Sequence, residues 1–269
     1  MHLISKIDEQ KRQWISFAAV LLCVFFSFFN AFAFDNVVVT STDPSLSSPV
    51  YKTRVVINIP TRNLILYRDG LEFKRFQVGV GRPEFPSPIG HFSIIRMTMN
   101  PAWENPYLGA GQMRIAAGAR NPLGTRWMAF KEDDKGQWGM HGTDSPKSVG
   151  QYSSHGCIRM FIRDAEELYK WVELGTPVDV TYDPVIIQVV NNTITAAAYP
   201  DRYHRGMPSV SELVTRIQEQ YPDSVLETNA LGLVLRQPNG RFVVIGKLLP
   251  RPVYSENGDS VRLQFSQSR

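Results

Sequence analysis

The sequence has little cysteine. Of its 269 residues two are cysteines, Cys23 and Cys157. That excludes a disulfide-stapled scaffold and a four-cysteine zinc module. Charge is sparse and nearly balanced: 20% of residues are charged, with 29 Lys and Arg against 25 Asp and Glu, net +4. The basic residues are scattered, with no stripe of the kind that tracks a phosphate backbone, so nucleic acid is not an expected partner. A pI near 9.1 is compatible with an anionic partner. An apolar fraction of 43% excludes a disordered or fibrous chain and supports a packed core. The length fits one or two domains.

The N-terminal segment changes the cysteine count. Lys6, Lys11 and Arg12 precede an uncharged run over residues 14–29, which ends in Asn30-Ala31-Phe32-Ala33. A basic start, a short apolar run and an A-x-A site make a secretory signal peptide over residues 1–33. The run is shorter than the roughly 20 residues a spanning helix needs. Contact with a membrane is therefore expected only through this segment before cleavage. Cys23 lies inside the run after Leu22, which is not the small residue a lipoprotein site would require. The mature chain then has one cysteine, Cys157. An unpaired cysteine in an exported protein is an intermolecular partner or a free, reactive thiol.

Residues 34–51 are rich in Ser, Thr, Asp and Pro and read as a linker. From Arg54 onward the pattern is short strands: 55–59, 64–67, then a turn at Asp69-Gly70, followed by 73–80, 91–97 and 127–130. Asp164 and Glu167 have the spacing of a capping box for a helix bearing Ala165, Leu168 and Val172 and ending at Gly175. Residues 178–182 and 185–190 read as strands, with a turn at Asn191-Asn192. Ser209 and Glu212 form a second capping box, leading an apolar face of Val210, Leu213, Ile217 and Tyr221. Residues 231–236 and 241–245 flank Pro238-Asn239-Gly240 and predict a hairpin.

The chemistry concentrates between residues 139 and 160. Gly139-Met140-His141-Gly142-Thr143 is followed by Ser154-His155-Gly156-Cys157-Ile158-Arg159-Met160. The other histidines sit apart: His2 in the signal segment, His91 in a strand, His204 in a polar turn. A thiol titrates near 8.5 and needs a base or a cation to become a nucleophile at neutral pH. Histidine is a suited acceptor, and either His141 or His155 can serve. Arg159 supplies a fixed charge for a carboxylate. Backbone N–H groups beside Gly156 are available for an oxyanion hole. Three plainer readings compete. Cys157 could be an inert buried thiol, but Ser-His-Gly-Cys is too polar for a core. His141, His155 and Cys157 could be zinc ligands, though no i, i+4 ligand pair supports this. One histidine could be structural, since a single base suffices.

At these residues the sequence resembles the L,D-transpeptidase catalytic domain family, also called YkuD. His-Gly followed by Ser-His-Gly-Cys-Ile-Arg-Met is similar to the family signature. Ser87-Pro88-Ile89-Gly90-His91-Phe92 is similar to its T-P-x-G-x-F segment, with Ser for Thr, and Asn121-Pro122-Leu123-Gly124 to its N-P-L-G segment. The resemblance implies a mainly β fold with short helices: a β-sandwich-like catalytic domain over residues 52–183, and a smaller C-terminal α+β extension over 184–269 whose role it does not assign. It implies Cys157 as nucleophile and His141 as general base, oriented by the Gly142 carbonyl. Ser154, His155, Gly156 and Arg159 would shape the pocket, bind substrate and supply oxyanion donors. No metal or organic cofactor is implied.

The implied substrate is the tetrapeptide stem of peptidoglycan, outside the cytoplasmic membrane in a periplasm or wall space. Attack by Cys157 would release D-alanine and leave a thioester. An amine of a second stem would then give a 3→3 cross-link. Water would make the protein an L,D-carboxypeptidase, and a protein amine would anchor a lipoprotein to the wall. NlpC-type peptidases place cysteine before histidine, and sortases place histidine much further upstream; neither order matches. A catalytically silent wall-binding module is the alternative from another class, and the intact Cys157, His141 and Arg159 argue against it.

Overall fold

Short β-rich stretches separated by turns can bury their apolar residues only by stacking sheets on one another. In the computed structural model, which describes residues 37–39, 52–104, 114–118 and 120–249, that is how the central part of the chain is built. The predicted signal segment, most of residues 34–51 and the tail beyond 249 lie outside the described residues; Val37–Val39 is strand. Among the described residues no helix is long and apolar enough to cross a membrane.

Two sheets share the larger core. The first contains β1 (Thr53–Asn58), β2 (Asn63–Arg68), β3 (Leu71–Gln77), β5 (Gly90–Ser93) and β11 (Pro177–Thr181), in the order β3-β2-β1-β11-β5. A two-residue strand, β4 (Val80–Gly81), follows β3. The second sheet contains β6 (Arg96–Met99), β7 (Arg126–Asp133), β8 (Gly136–Gly142) and β10 (Ile158–Met160), in the order β10-β8-β7-β6. Ile57, Leu64 and Leu66 from one sheet meet Met128, Met140, Ile158 and Met160 from the other, all at 0% exposure. At about 25 cal/mol per Å² this burial is the main stabilising term.

The sequence predicts one strand over 91–97. Instead β5 and β6 belong to different sheets. Ile94 N–H donates to Thr176 O, and Ile95 N–H to Ala129 O, so the chain crosses between sheets at this dipeptide. The crossing satisfies successive backbone groups from opposite layers, which a continuous strand could not do. Ile94 is buried and Ile95 half exposed.

Helix α1 (Ile162–Tyr169) buries Ala165 and Leu168, as the periodicity predicts. Its capping differs from the prediction. Phe161 is the N-cap and supplies no side-chain bond. Asp164 lies inside the first turn, where a carboxylate still favours the helix dipole. Glu167 is drawn away by Trp171 Nε1 at 3.1 Å and Lys74 Nζ at 3.2 Å. The helix also ends before Val172 and Gly175.

The chain then builds a second apolar cluster. Strands β12 (Val185–Val190) and β13 (Thr193–Ala198) form a hairpin across Asn191-Asn192, both at positive φ as the turn requires. β15 (Val243–Leu248) pairs with β13 and with β14 (Ser224–Leu226). Helices α2 (Val210–Gln220) and α3 (Thr228–Arg236) contribute Leu213, Ile217, Leu231 and Val234 to the same cluster. The α3 segment corrects the predicted hairpin. Residues 231 and 234 lie one helical turn apart and both face the cluster, so the three-residue period prevails over the Asn-Gly turn signal. The capping box at Ser209 and Glu212 is present: Ser209 Oγ accepts Glu212 N–H at 3.2 Å, and Glu212 Oε2 accepts Ser209 N–H at 2.7 Å.

Ser209→Ala should lower stability by about 1 kcal/mol and Ser209→Asp should be nearly neutral, read as urea midpoints. Equal midpoints for the alanine variant and the parent would show that the cap contributes nothing.

Candidate active site

Strand alternation places the candidate residues. β8 and β10 are parallel, with Met140 opposite Ile158, His141 opposite Arg159 and Gly142 opposite Met160. Met140, Ile158 and Met160 are committed to the core at 0% exposure. Successive side chains of a strand point to opposite faces. His141, Arg159 and, one step before the strand, Cys157 therefore share the other face. β9 (Tyr152–Ser154) pairs in parallel with β4 and delivers the chain to the cysteine turn. Arg159 is also fixed on its far side: its N–H donates to Gly79 O at 2.9 Å, and its carbonyl accepts Gly79 N–H at 2.8 Å.

His141 is 4% exposed and its Nδ1 lies 2.5 Å from Gly142 O. A carbonyl can only accept, so Nδ1 carries the proton and Nε2 keeps its lone pair. Burial, reinforced by the Arg159 charge, pushes the His141 pKa down to about 4, against the opposing pull of the Gly142 bond and Asp144. Cys157 is half-buried. Burial pushes its thiol up, while a hydrogen bond from the Gly139 backbone and the Arg159 charge pull it down. Its Sγ faces Gln137 O at 3.7 Å. Cys157 thus rests as a thiol and His141 as a neutral imidazole.

The cysteine turn is held by Ser154, which is 1% exposed. Its hydroxyl donates to Cys157 O at 2.6 Å and accepts Gly156 N–H at 3.0 Å. Gly156 has φ +109°, and a Cβ there would meet Trp138 Nε1 at 2.6 Å, so the position excludes any side chain. The Gly156 N–H is therefore committed within the turn, and the contribution of this residue is conformational.

His155 is held by a different set of groups. Its Nε2 lies 2.9 Å from Arg82 Nη2. A guanidinium can only donate, so Nε2 is an acceptor here and the ring is neutral. Burial and the charges of Arg82 and Arg159 lower its pKa. Phe85 packs edge-on at 4.8 Å, and Arg82 covers Phe85 at 4.6 Å. The proton-bearing nitrogen of His141 is fixed by a backbone carbonyl, whereas His155 turns its Nε2 to a guanidinium. Arg159 makes no ion pair or hydrogen bond through its guanidinium among the described residues, and burial lowers its pKa. Among the described residues no cluster of His, Cys, Asp and Glu is placed to hold a metal.

Several contributors escape motif reading. Trp127, opposite His141 in the β7–β8 register, brings its ring to 5.7 Å from the imidazole. Trp138 walls the cysteine turn and is covered by Lys131 at 4.0 Å. Asn121, 1% exposed, explains its own segment: its amide nitrogen donates to Pro101 O at 2.7 Å and its oxygen accepts Leu123 N–H at 2.8 Å. It orders the loop that leads into β7. Ser87 accepts Gly81 N–H at 2.9 Å, a role that needs only a hydroxyl and explains how Ser can stand where Thr is usual.

The model of a family described as the L,D-transpeptidase catalytic domain, YkuD, matches residues 52–180. YqjB of Bacillus subtilis, named as an L,D-transpeptidase, is 32% identical over 131 residues, 48% of this chain and 71% of that protein. YkuD of Bacillus licheniformis is 31% identical over 128 residues, covering 48% of this chain and 65% of its own length. YbiS of Escherichia coli K12 is 25% identical over 222 residues, 78% of this chain and 67% of that protein. L,D-transpeptidase 3 of Mycobacterium tuberculosis, solved with a faropenem-derived adduct, superposes with a TM-score of 0.40 at 20% identity, over 48% of this chain and 60% of that one.

Burial of a neutral His141 makes stability depend on pH. The unfolded chain binds a proton near pH 6.5, and the native protein only near about 4. Stability is therefore full above about pH 6.5, falls as the pH drops through that window, and has lost about 3 kcal/mol below it. His141→Gln should flatten urea midpoints measured from pH 7 to 4. Parallel profiles for the two proteins would contradict a buried neutral imidazole.

Proposed function

The chain belongs to the YkuD family of L,D-transpeptidase catalytic domains, and from that premise we propose that it is an exported cysteine L,D-transpeptidase that forms 3→3 cross-links in peptidoglycan. One observation carries the reading: Cys157, His141 and Arg159 share a face of the β8–β10 pair, with the His141 proton fixed on Nδ1 by Gly142.

The protonation states favour a general-base route over a preformed thiolate–imidazolium pair. Cys157 Sγ attacks the carbonyl carbon between the third stem residue and the terminal D-alanine as its proton passes to His141 Nε2. The carbonyl oxygen becomes an oxyanion. With Gly156 N–H committed to Ser154, we assign the amide of Cys157 as the donor that receives it. Collapse breaks the C–N bond, and the D-alanine amine leaves with the proton from His141. The thioester remains. An amine on the third residue of a second stem attacks it and loses a proton to His141, which returns it to the departing sulfur. The Arg159 guanidinium, unpaired among the described residues, suits a stem carboxylate. Residues 52–183 form the catalytic domain on this reading, and residues 1–33 direct export.

A carbapenem should add once to the mature protein, at Cys157, by intact-mass spectrometry. No adduct, or an adduct persisting in Cys157→Ala, would sink the nucleophile assignment. His141→Gln should cut D-alanine release from tetrapeptide muropeptides at least about 100-fold. Unchanged release would move the base role to another group. Among the products, cross-linked dimers support the transpeptidase reading, whereas tripeptides alone would point to water as the acceptor.

A further inference from the structure

Through Tyr203 the C-terminal region reaches back to the loop that pairs with the start of the cysteine turn. Tyr203 Oη donates to Gly81 O at 2.6 Å and accepts Ser87 N–H at 3.1 Å. Ser87 Oγ in turn accepts Gly81 N–H at 2.9 Å. Gly81 is therefore held at both its nitrogen and its oxygen, in a closed ring of three hydrogen bonds linking residues 81, 87 and 203. Gly81 is the register partner of Ser154, and the next residue, Arg82, donates its N–H to Ser154 O at 3.0 Å. Ser154 is the residue whose hydroxyl fixes Gly156 and Cys157. The loop closed by the ring also carries Arg82 and Phe85, the two groups against His155. Its tightness leaves no slack: a Cβ at Gly81 would lie 2.3 Å from Phe85 O.

Tyr203 is itself immobilised. Its ring stacks on Tyr182 at 5.3 Å and meets the edge of Tyr152, in β9, at 5.9 Å. Tyr182 Oη accepts Tyr203 N–H at 2.9 Å and donates to Asp201 Oδ1 at 2.7 Å. The Asp201 carboxylate also accepts the N–H groups of Arg205 and Gly206 at 3.0 and 2.8 Å. Residues 199–206 thus form a strap with fixed backbone, which presents to the loop a hydroxyl aimed between two backbone groups.

We propose that Tyr203 is a positioning residue for the cysteine turn, so that residues beyond the catalytic fold set the geometry in which Cys157 reacts. The proposal rests on the nucleophile assignment above. Removing the hydroxyl leaves the ring stack in place but frees Gly81 O and Ser87 N–H, and the loop can then drift relative to Ser154. Misplacement of a reacting group by a fraction of an ångström to an ångström costs rate without unfolding the protein.

The test compares Tyr203→Phe and Ser87→Ala with the parent, in the mature full chain. Carbapenem acylation of Cys157 should slow about tenfold in each variant, and the double variant should be no slower than the slower single, because both break the same ring. Alkylation of Cys157 by iodoacetamide, a small reagent that needs no oriented site, should keep its parental rate and pH profile. Acylation of Tyr203→Phe at the parental rate would overturn the proposal. So would slow acylation accompanied by faster alkylation, since that marks loosening of the fold, or multiplicative effects in the double variant. If the parent itself is not acylated, the nucleophile assignment fails instead, and the two failures are distinct.

Discussion

Everything at the site depends on the alternation of side chains along two short parallel strands. Met140, Ile158 and Met160 are buried completely, and withdrawing any of them would cost several kcal/mol. That commitment turns His141, Arg159 and Cys157 to the opposite face. The geometry of the site is thus a by-product of hydrophobic burial. A register slip of one residue would invert it, exposing the methionines and burying the cation.

Electrostatics then decides how the site can work. The same burial that orders His141 removes its charge, and the same enclosure keeps the Cys157 proton on sulfur. Arg159 partly compensates at the thiol but makes the imidazolium less favourable still. A thiol held in this form is protected from adventitious oxidants, because thiolate is the reactive form. On the proposed function, reactivity appears when a bound substrate supplies an electrophile and an oxyanion that the local donors can meet.

Much of this was legible in the residues. Strand runs ending in Asp69-Gly70 and Asn191-Asn192, the Ser209–Glu212 cap and the cluster at 139–160 follow from local chemistry, and local chemistry decided them. What stayed hidden depended on partners distant in sequence. The break at Ile94-Ile95 is set by carbonyls of Thr176 and Ala129. Residues 228–236 become a helix because Leu231 and Val234 meet the α2 face, against a turn signal a few residues downstream. Glu167 abandons its capping spacing for Trp171 and Lys74. Within the site, the motif named His141, Ser154 and Cys157 but could not show that Gly156 spends its N–H on Ser154. Trp127, Trp138 and Tyr203 carry no motif; they are placed by register and by tertiary packing.

One polar pair bears on how this chain can be divided. The Asn58 amide donates to Asp183 O and its oxygen accepts Asp183 N–H, both at 3.0 Å, with Asn58 5% exposed. A side chain here imitates a strand neighbour, stitching the start of the C-terminal region to the central strand of the first sheet. A fragment trimmed near residue 183 would leave that stitch at a fraying end and would strip the Gly81 carbonyl of its phenol. A cut there would sever a built contact, and anyone shortening this protein for crystallisation or fusion should cut elsewhere.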